Sequence, residues 1–165
     1  MAVQIKLMET EAEMLGKAYV HWKSWQDTYA GLIPASYLEK LTLEKCIETA
    51  RRWPDNILVA KDGERVVGFA GVGIGRDDDL PDTGVLFALY VLEEYQRQGI
   101  GSALTREVFS RLSDFPKIAL WVLKGNERAV RFYEKTGFRF DGTEKVLTLG
   151  EPRTEQRMVY IREEG

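Results

Sequence analysis

Two nearly uninterrupted apolar runs constrain the fold of this chain more than any other feature. They are Val85-Leu86-Phe87-Ala88-Leu89-Tyr90-Val91 and Ile118-Ala119-Leu120-Trp121-Val122-Leu123. A strand with one wet face alternates apolar and polar residues, whereas a strand covered on both faces does not, so both runs read as central strands. Each is followed by a helical pattern. Ile100, Ala103, Leu104, Val108 and Leu112 mark the first helix, and residues 126–136 form the second, closed by Gly137 in the C′ position. Two strand–helix–strand crossings imply a mixed sheet with helices on both faces.

The remaining elements fit around that centre. Residues 3–8 alternate as a short strand. Thr10 with Glu13 is a capping-box signature for a helix on which Met14, Leu15, Ala18, Trp22 and Trp25 recur at helical spacing. Gly31 breaks it and Pro34 opens a short second helix. A third, from near Thr42, carries Leu43, Cys46, Ile47 and Ala50 and stops at Pro54. Residues 56–61 and 65–74 are expected as strands joined by an Asp62-Gly63 hairpin turn, with Gly71, Gly73 and Gly75 marking close packing or a bulge. Asp77, Asp78, Asp79 and Asp82 then read as a solvated loop, with guidance of a cationic substrate or a weak metal site as alternatives. Strands near residues 139–147 and 154–162 finish the chain. No repeat, low-complexity tract or linker interrupts this order, so residues 1–165 are expected to form one domain.

Composition excludes several classes. The 165 residues are 44% hydrophobic and 30% charged, enough to bury roughly two-thirds of the unfolded surface without a metal or a disulfide. The single cysteine, Cys46, allows no intrachain disulfide and no zinc-ligand spacing, and so suits a cytoplasmic protein with no metal. The first six residues carry no long apolar run, so no signal peptide is expected. No stretch reaches the apolar length of a membrane span. A net charge of −3 without a Lys/Arg cluster argues against nucleic acid as a partner and fits a small cationic or neutral substrate.

The chemistry concentrates between Tyr90 and Ser102. A buried strand leads through Glu93-Glu94-Tyr95-Gln96-Arg97-Gln98 to Gly99-Ile100-Gly101-Ser102, which opens a helix. The first N–H groups of a helix have no intrahelical partner and carry the positive end of its dipole. Glycine leaves such amides unshielded and permits unusual backbone angles, so the segment is a ready phosphate site, with Arg97 as an added cation. A tight strand–helix turn is the plainer explanation of the same glycines. A Rossmann site fits poorly because the second glycine pair is missing, and a Walker A loop is excluded because no Gly-Lys-Ser/Thr follows.

Residues 91–104, with the core Gln96-Arg97-Gln98-Gly99-Ile100-Gly101, resemble the acyl-CoA pyrophosphate loop of the GNAT superfamily, Gln/Arg-x-x-Gly-x-Gly/Ala. Asn126-Glu127-Arg128-Ala129-Val130-Arg131-Phe132-Tyr133-Glu134-Lys135-Thr136-Gly137-Phe138 resembles the second motif of that superfamily, Asn-x-x-Ala-x-x-Phe-Tyr-x-x-x-Gly-Phe. The resemblance implies an acetyl-CoA-dependent N-acetyltransferase with an α/β (α+β) GNAT fold. That fold is a mixed, mostly antiparallel central sheet with helices on both faces, whose two parallel central strands splay apart. Acetyl-CoA would lie in the splay as co-substrate. Its pantetheine arm would pair with backbone around Leu89, Tyr90 and Val91. Its pyrophosphate would meet the N–H groups of Arg97, Gln98, Gly99, Ile100, Gly101 and Ser102, with Gln96 beside them as a further cofactor-binding residue.

The same resemblance gives Asn126 a pantetheine contact, although Asn is also a favoured N-cap. It gives Tyr133 the role of general acid to the departing thiolate, although Tyr133 also fits a core-facing helix stripe. An acceptor amine must lose a proton before it attacks, so a base or a water chain is needed. Some relatives place a glutamate on the strand over residues 85–91, and none is present there. Relatives that acetylate ribosomal-protein N-termini carry a glutamate five residues before the Asn, where this chain has Trp121, which speaks against that acceptor. Glu155, His21, Tyr29 and ordered water remain as candidates, His21 as a packed residue first and Glu155 equally as an ion-pair partner of Arg157. Trp25 and Tyr29 lie in Ser24-Trp25-Gln26-Asp27-Thr28-Tyr29-Ala30-Gly31-Leu32-Ile33-Pro34, similar to a common bacterial branch in which this region lines the acceptor pocket. Cys46 lies on a helix stripe far from both motifs, which favours direct attack in a ternary complex over an acetyl-cysteine. The expected partner is a small-molecule or peptide amine, and dimers are frequent among similar proteins. A non-catalytic acyl-CoA sensor and a nucleotide-binding domain are the competing functions; the retained Tyr133 disfavours the first.

Overall fold

The computed structural model describes residues 3–162. Met1 and Ala2, with which the stretch examined for a signal peptide begins, lie outside the described residues. The two apolar runs become neighbours at the middle of one seven-stranded sheet. The elements follow in the order β1 (Val3–Leu7), α1 (Glu11–Thr28), α2 (Ala35–Lys40), α3 (Leu43–Arg52), β2 (Ile57–Asp62), β3 (Arg65–Ile74), β4 (Thr83–Val91), α4 (Ile100–Arg111), β5 (Lys117–Leu123), α5 (Glu127–Thr136), β6 (Arg139–Leu149) and β7 (Glu151–Ile161). The sheet order is β1-β2-β3-β4-β5-β7-β6. Only the β4–β5 pair is parallel; the other neighbours are antiparallel.

That parallel pair positions the site. β4 and β5 are paired only at Thr83–Lys117, Gly84–Ile118 and Val85–Ala119. Beyond Val85, β4 stays paired with β3 as far as Val91, while its other edge parts from β5. The result is a V-shaped gap lined on one side by unpaired backbone N–H and C=O groups.

Helices cover both faces. α1 packs close enough to β3 that a Cβ at Gly16 would meet Val66, whereas Leu104 of α4 lies against Gly68 from the other side. The main core joins Leu104 and Val108 of α4, Tyr133 of α5 and Phe138 to Ile118, Leu120, Val122 and Met158 of the sheet. A second cluster, Met14, Ala18, Cys46 and Ala50, fastens α3 to α1. A third, Ile33, Leu38, Leu123 and Leu149, seats α2 against the ends of β5 and β6.

Local chemistry explains the boundaries. The capping box at α1 is complete, with Thr10 Oγ1 accepting from the Glu13 N–H at 3.1 Å and Glu13 Oε1 accepting from the Thr10 N–H at 3.1 Å. α5 closes at Gly137, whose φ of 108° favours glycine. Asp62 pairs with Arg65, so the β2–β3 turn residues are Gly63 and Glu64 rather than Asp62 and Gly63. β3 and β4 change register between Gly71 and Val72, where Phe87 bulges outward and its ring covers Gly73. The inner face of α1 differs from the expected stripe. Leu15 is exposed, while Lys17 and Ser24 are buried against the sheet side. β6 and β7 run longer than expected and meet at Gly150 (φ 81°), because Pro152, near the start of β7, sits opposite Thr148 beside the turn. No helix of the described residues is long and apolar enough to cross a membrane.

Candidate active site

The gap between β4 and β5 opens into a cleft of about 710 Å³ that passes through the sheet. Leu89, Tyr90 and Val91 of β4 line one wall, and Leu120, Trp121 and Val122 of β5 face them. One mouth lies between the α4 and α5 N-termini and the other beside Tyr29 and Phe87.

At the first mouth the glycines divide their work. Gly99 precedes α4 with φ 82°, a conformation that costs other residues. Gly101 sits inside the helix, where a Cβ would stand 3.2 Å from Phe132 Cζ. Its role is close packing, not an unusual backbone angle. Arg97 also has positive φ, 65°. The N–H groups of Ile100, Gly101 and Ser102 are the first three of α4 and are free of intrahelical bonds. Ile100 is buried in the core, and the exposed Gln98 donates its side-chain N–H to the Glu94 carbonyl at 3.3 Å, so both offer backbone rather than side chain. Gln96 Nε2 donates to the Val91 carbonyl at 3.1 Å, and its Oε1 is buried with no partner.

The loop is anchored from outside. The Tyr95 hydroxyl donates to Asp62 at 2.8 Å, and Arg65 pairs with Glu94 at 3.0 Å while stacking on the Tyr95 ring. Arg97, Arg128, Arg131 and Lys135 line this mouth, and none of the four forms an ion pair among the described residues. Sequence reasoning missed the three on α5; their i, i+3, i+7 spacing was the available signal.

At the junction, three phenols converge. The Tyr29 and Tyr90 hydroxyls are hydrogen-bonded at 3.0 Å. Burial pushes the Tyr90 phenol well above its ordinary range, and the neighbouring Tyr29 adds to this. Tyr133 lines the cleft from α5, with its ring edge-on to Phe132 and Phe138. Burial raises its pKa too, with a contribution from Tyr29, so it keeps its proton. Asn126 lines the cleft and caps α5, its Oδ1 accepting from the Ala129 N–H at 3.4 Å.

The second mouth differs from expectation. Trp25 does not line the cleft; it stands edge-on behind Tyr29, with ring centroids 4.7 Å apart. Glu155 is 3.8 Å from Lys145, not paired with Arg157. Arg157, almost fully buried, instead bonds Asp79 at 2.7 and 3.0 Å, Asp77 at 3.1 Å and Asp141 at 2.6 Å. The acidic loop is solvent-exposed, as expected, and in addition Asp77 and Asp79 tie it across β5 to Arg157 of β7. Its partners lie some eighty residues apart, so no local pattern revealed them. His21 packs between Trp25 and Phe69, and burial with the nearby Lys17 lowers its pKa to about 4. Cys46 is buried against α1, and burial raises its thiol to about 11.

Known proteins resemble this arrangement. The acetyltransferase (GNAT) family model matches residues 18–138. The uncharacterized N-acetyltransferase YuaI of Bacillus subtilis is 36% identical over 124 residues, 71% of this chain and 69% of that protein. The ribosomal protein bS18 alanine N-acetyltransferase of Escherichia coli is 30% identical over 94 residues, 52% of this chain and 64% of that protein. The crystal structure of the paia N-acetyltransferase of Thermoplasma acidophilum in complex with coenzyme A superposes with a TM-score of 0.76 at 25% identity, over 98% of this chain and all of that one.

Proposed function

The chain belongs to the acetyltransferase (GNAT) family, and from that premise we propose that it acetylates a primary amine by direct attack on acetyl-CoA in a ternary complex. It is an N-acetyltransferase with acetyl-CoA as co-substrate. The observation that carries the proposal is the through-sheet cleft: one mouth is built for a phosphorylated, amide-rich arm, and a proton-bearing tyrosine stands at the junction.

The residues fit that co-substrate. The edge of β4 turned away from β3 offers backbone groups of Leu89 and Val91 to the pantetheine amides, with the Val91 carbonyl shared with Gln96 and Tyr90 between them bonded to β3. The loop from Arg97 to Ser102 supplies N–H groups and the Arg97 side chain for the pyrophosphate, while the Gln96 N–H is taken by the Glu93 carbonyl. Asn126 serves α5 as its cap and borders the pantetheine path. At the junction the acceptor nitrogen, already neutral, attacks the thioester carbonyl. The carbon–sulfur bond breaks, the Tyr133 hydroxyl gives its proton to the sulfur, and the nitrogen, which becomes positively charged on attack, sheds a proton that restores the Tyr133 hydroxyl. Tyr29, backed by Trp25, forms the acceptor wall, with Glu155 beyond it on β7. The buried, high-pKa Cys46 is a poor thiolate, which supports transfer without an acetyl-enzyme. Water passing the Tyr29–Tyr90 pair is the route assigned to the amine proton, because His21 is sealed between aromatic rings.

The acceptor class is a small-molecule or peptide amine. We place residues 1–165 in one domain, supported by the single sheet, and in the cytoplasm, supported by the unpaired Cys46. A homodimer is proposed from resemblance alone. The test is a thermal-shift comparison of acetyl-CoA, ATP and NAD, followed by an amine library scored by thiol release. Stabilisation by acetyl-CoA and turnover of at least one amine are expected. Stabilisation by ATP or NAD instead would overturn the assignment, and stabilisation by acetyl-CoA without any thiol release would favour the non-catalytic sensor.

A further inference from the structure

An ammonium of the chain itself already occupies a cation cage on the acceptor side of the cleft. Lys145 Nζ on β6 stands 4.2 Å from the centroid of the Trp121 ring and 3.8 Å from Glu155 Oε1. Trp121 is a cleft-lining residue of β5. Lys145 pairs with Glu155 across the β6–β7 ladder, and Glu155 pairs with Leu123, two residues along β5 from Trp121. The pleat therefore puts all three side chains on one sheet face, held by regular strands rather than by a loop. An aromatic face with a carboxylate beside it is chemistry that selects a charged amine.

We infer that Trp121 and Glu155 form a subsite for a second, non-reacting ammonium of the acceptor, and that Lys145 stands in for it and leaves when it binds. The acceptor class is then a dication: an aliphatic diamine or polyamine with one nitrogen held here and the other at the junction. This deepens the acetyltransferase assignment and rests on it. Two observations and one chemical argument support it. Lys145 is about half exposed and flexibly tethered, so it can swing out into water. Arg157, whose guanidinium lies farther from the Trp121 ring, 5.8 Å from its centroid, is outnumbered by the three carboxylates bound to it, so it leaves no net positive charge against a second cation at the ring. The reacting nitrogen must be neutral to attack, so a cage that favours a charged nitrogen suits the other end of the molecule. Holding that end charged also lowers the pKa of the reacting amine and eases its deprotonation.

The test compares kcat/KM, by thiol release from acetyl-CoA, for 1,4-diaminobutane and 1,5-diaminopentane against n-butylamine and n-pentylamine. The native protein is expected to favour the diamines by roughly tenfold or more, the order that an aromatic–cation contact and a carboxylate supply together. In Trp121→Leu and in Glu155→Gln that ratio should fall towards one, and in Lys145→Ala the KM for the diamines should drop. Acetyl-CoA thermal shifts certify folding of each variant, and Glu155→Gln, an isosteric change at a half-buried residue, keeps the test valid if Trp121→Leu does not fold. Equal turnover of mono- and diamines by the native protein, or a preference that survives both substitutions, overturns the subsite alone. Absence of acetyl-CoA stabilisation and of thiol release with every amine overturns the acetyltransferase assignment instead.

Discussion

A phenol enclosed by Phe132 and Phe138 and raised in pKa by burial holds its proton throughout the neutral and mildly alkaline range. Tyr133 is therefore suited to donate a proton and unsuited to accept one, which makes its assignment as general acid testable on a single oxygen. Tyr133→Phe keeps the ring and its packing. General acid catalysis supplies about 10²–10⁴-fold, and a thiolate leaves fairly readily, so kcat should fall by about a hundredfold with the acetyl-CoA Kd unchanged. Full kcat in a variant whose chemistry is shown to be rate-limiting would refute the role, and a weakened Kd with unchanged kcat would make Tyr133 a binding residue only. The position of this tyrosine was legible from its spacing after Asn126. Its surroundings were not, because Tyr29 and Tyr90 reach the same point from distant elements. The glycines show the same limit. Their motif was plain, but only the backbone reveals that Gly99 carries the positive φ while Gly101 makes room for Phe132.

At the scale of elements, buried ion pairs fix what apolar packing leaves free. Glu13, almost fully buried at the start of α1, accepts from Lys6 of β1 at 2.7 Å and from Lys61 of β2 at 3.0 Å, and from the backbone N–H groups of Glu9 and Thr10. Burial alone would raise its pKa, but these donors together hold it well below the ordinary carboxylate value. One residue thus joins a helix to two strands. Its contribution to stability is complete above its unfolded pKa, near 4.3–4.5, and is lost as the pH falls from there towards the lower folded value. Glu13→Gln leaves two ammonium groups facing an amide, and Tm at pH 7 should drop by roughly 5–10 °C. The gap between the native and variant melting curves should narrow below about pH 4; a gap constant from pH 7 to pH 3 would show that the carboxylate charge is not what matters. The Thr10–Glu13 cap was legible in sequence, but the two lysines that make Glu13 a hub were not, since Lys61 lies forty-eight residues away. The insertion of β7 between β5 and β6 was hidden for the same reason. Local patterns mark where a strand lies, whereas the choice of neighbour depends on faces contributed by the whole sheet.

Across the whole molecule, a net charge of −3 conceals two opposite fields. Arg97, Arg128, Arg131 and Lys135 surround the mouth assigned to the coenzyme. Asp77, Asp79 and Asp141 outnumber Arg157 next to the cleft-lining Trp121, where Glu155 is offset by Lys145. Summed composition could show neither, because it averages the local clusters, the α5 cations and the Asp77–Asp79 run, whose relative placement only the folded sheet fixes. On the proposed assignment of the two mouths, such a partition favours approach of the polyanionic coenzyme from the α5 side. The α5 cations are separate from the backbone cradle, so their contribution can be removed without touching Gly99 or Gly101. A variant combining Arg128→Gln, Arg131→Gln and Lys135→Gln should weaken acetyl-CoA binding by roughly 10–100-fold at low salt, since each exposed pair is worth at most about 1 kcal/mol. The loss should shrink as salt rises, because the Debye length falls from about 30 Å at 0.01 M to about 3 Å at 1 M. Titrations of acetyl-CoA at several salt concentrations should therefore give a shallower salt dependence in the variant than in the native protein, with melting temperatures alike. Parallel salt dependences would mean that these three side chains only shape the rim, and that the backbone N–H groups and Arg97 hold the phosphates by themselves.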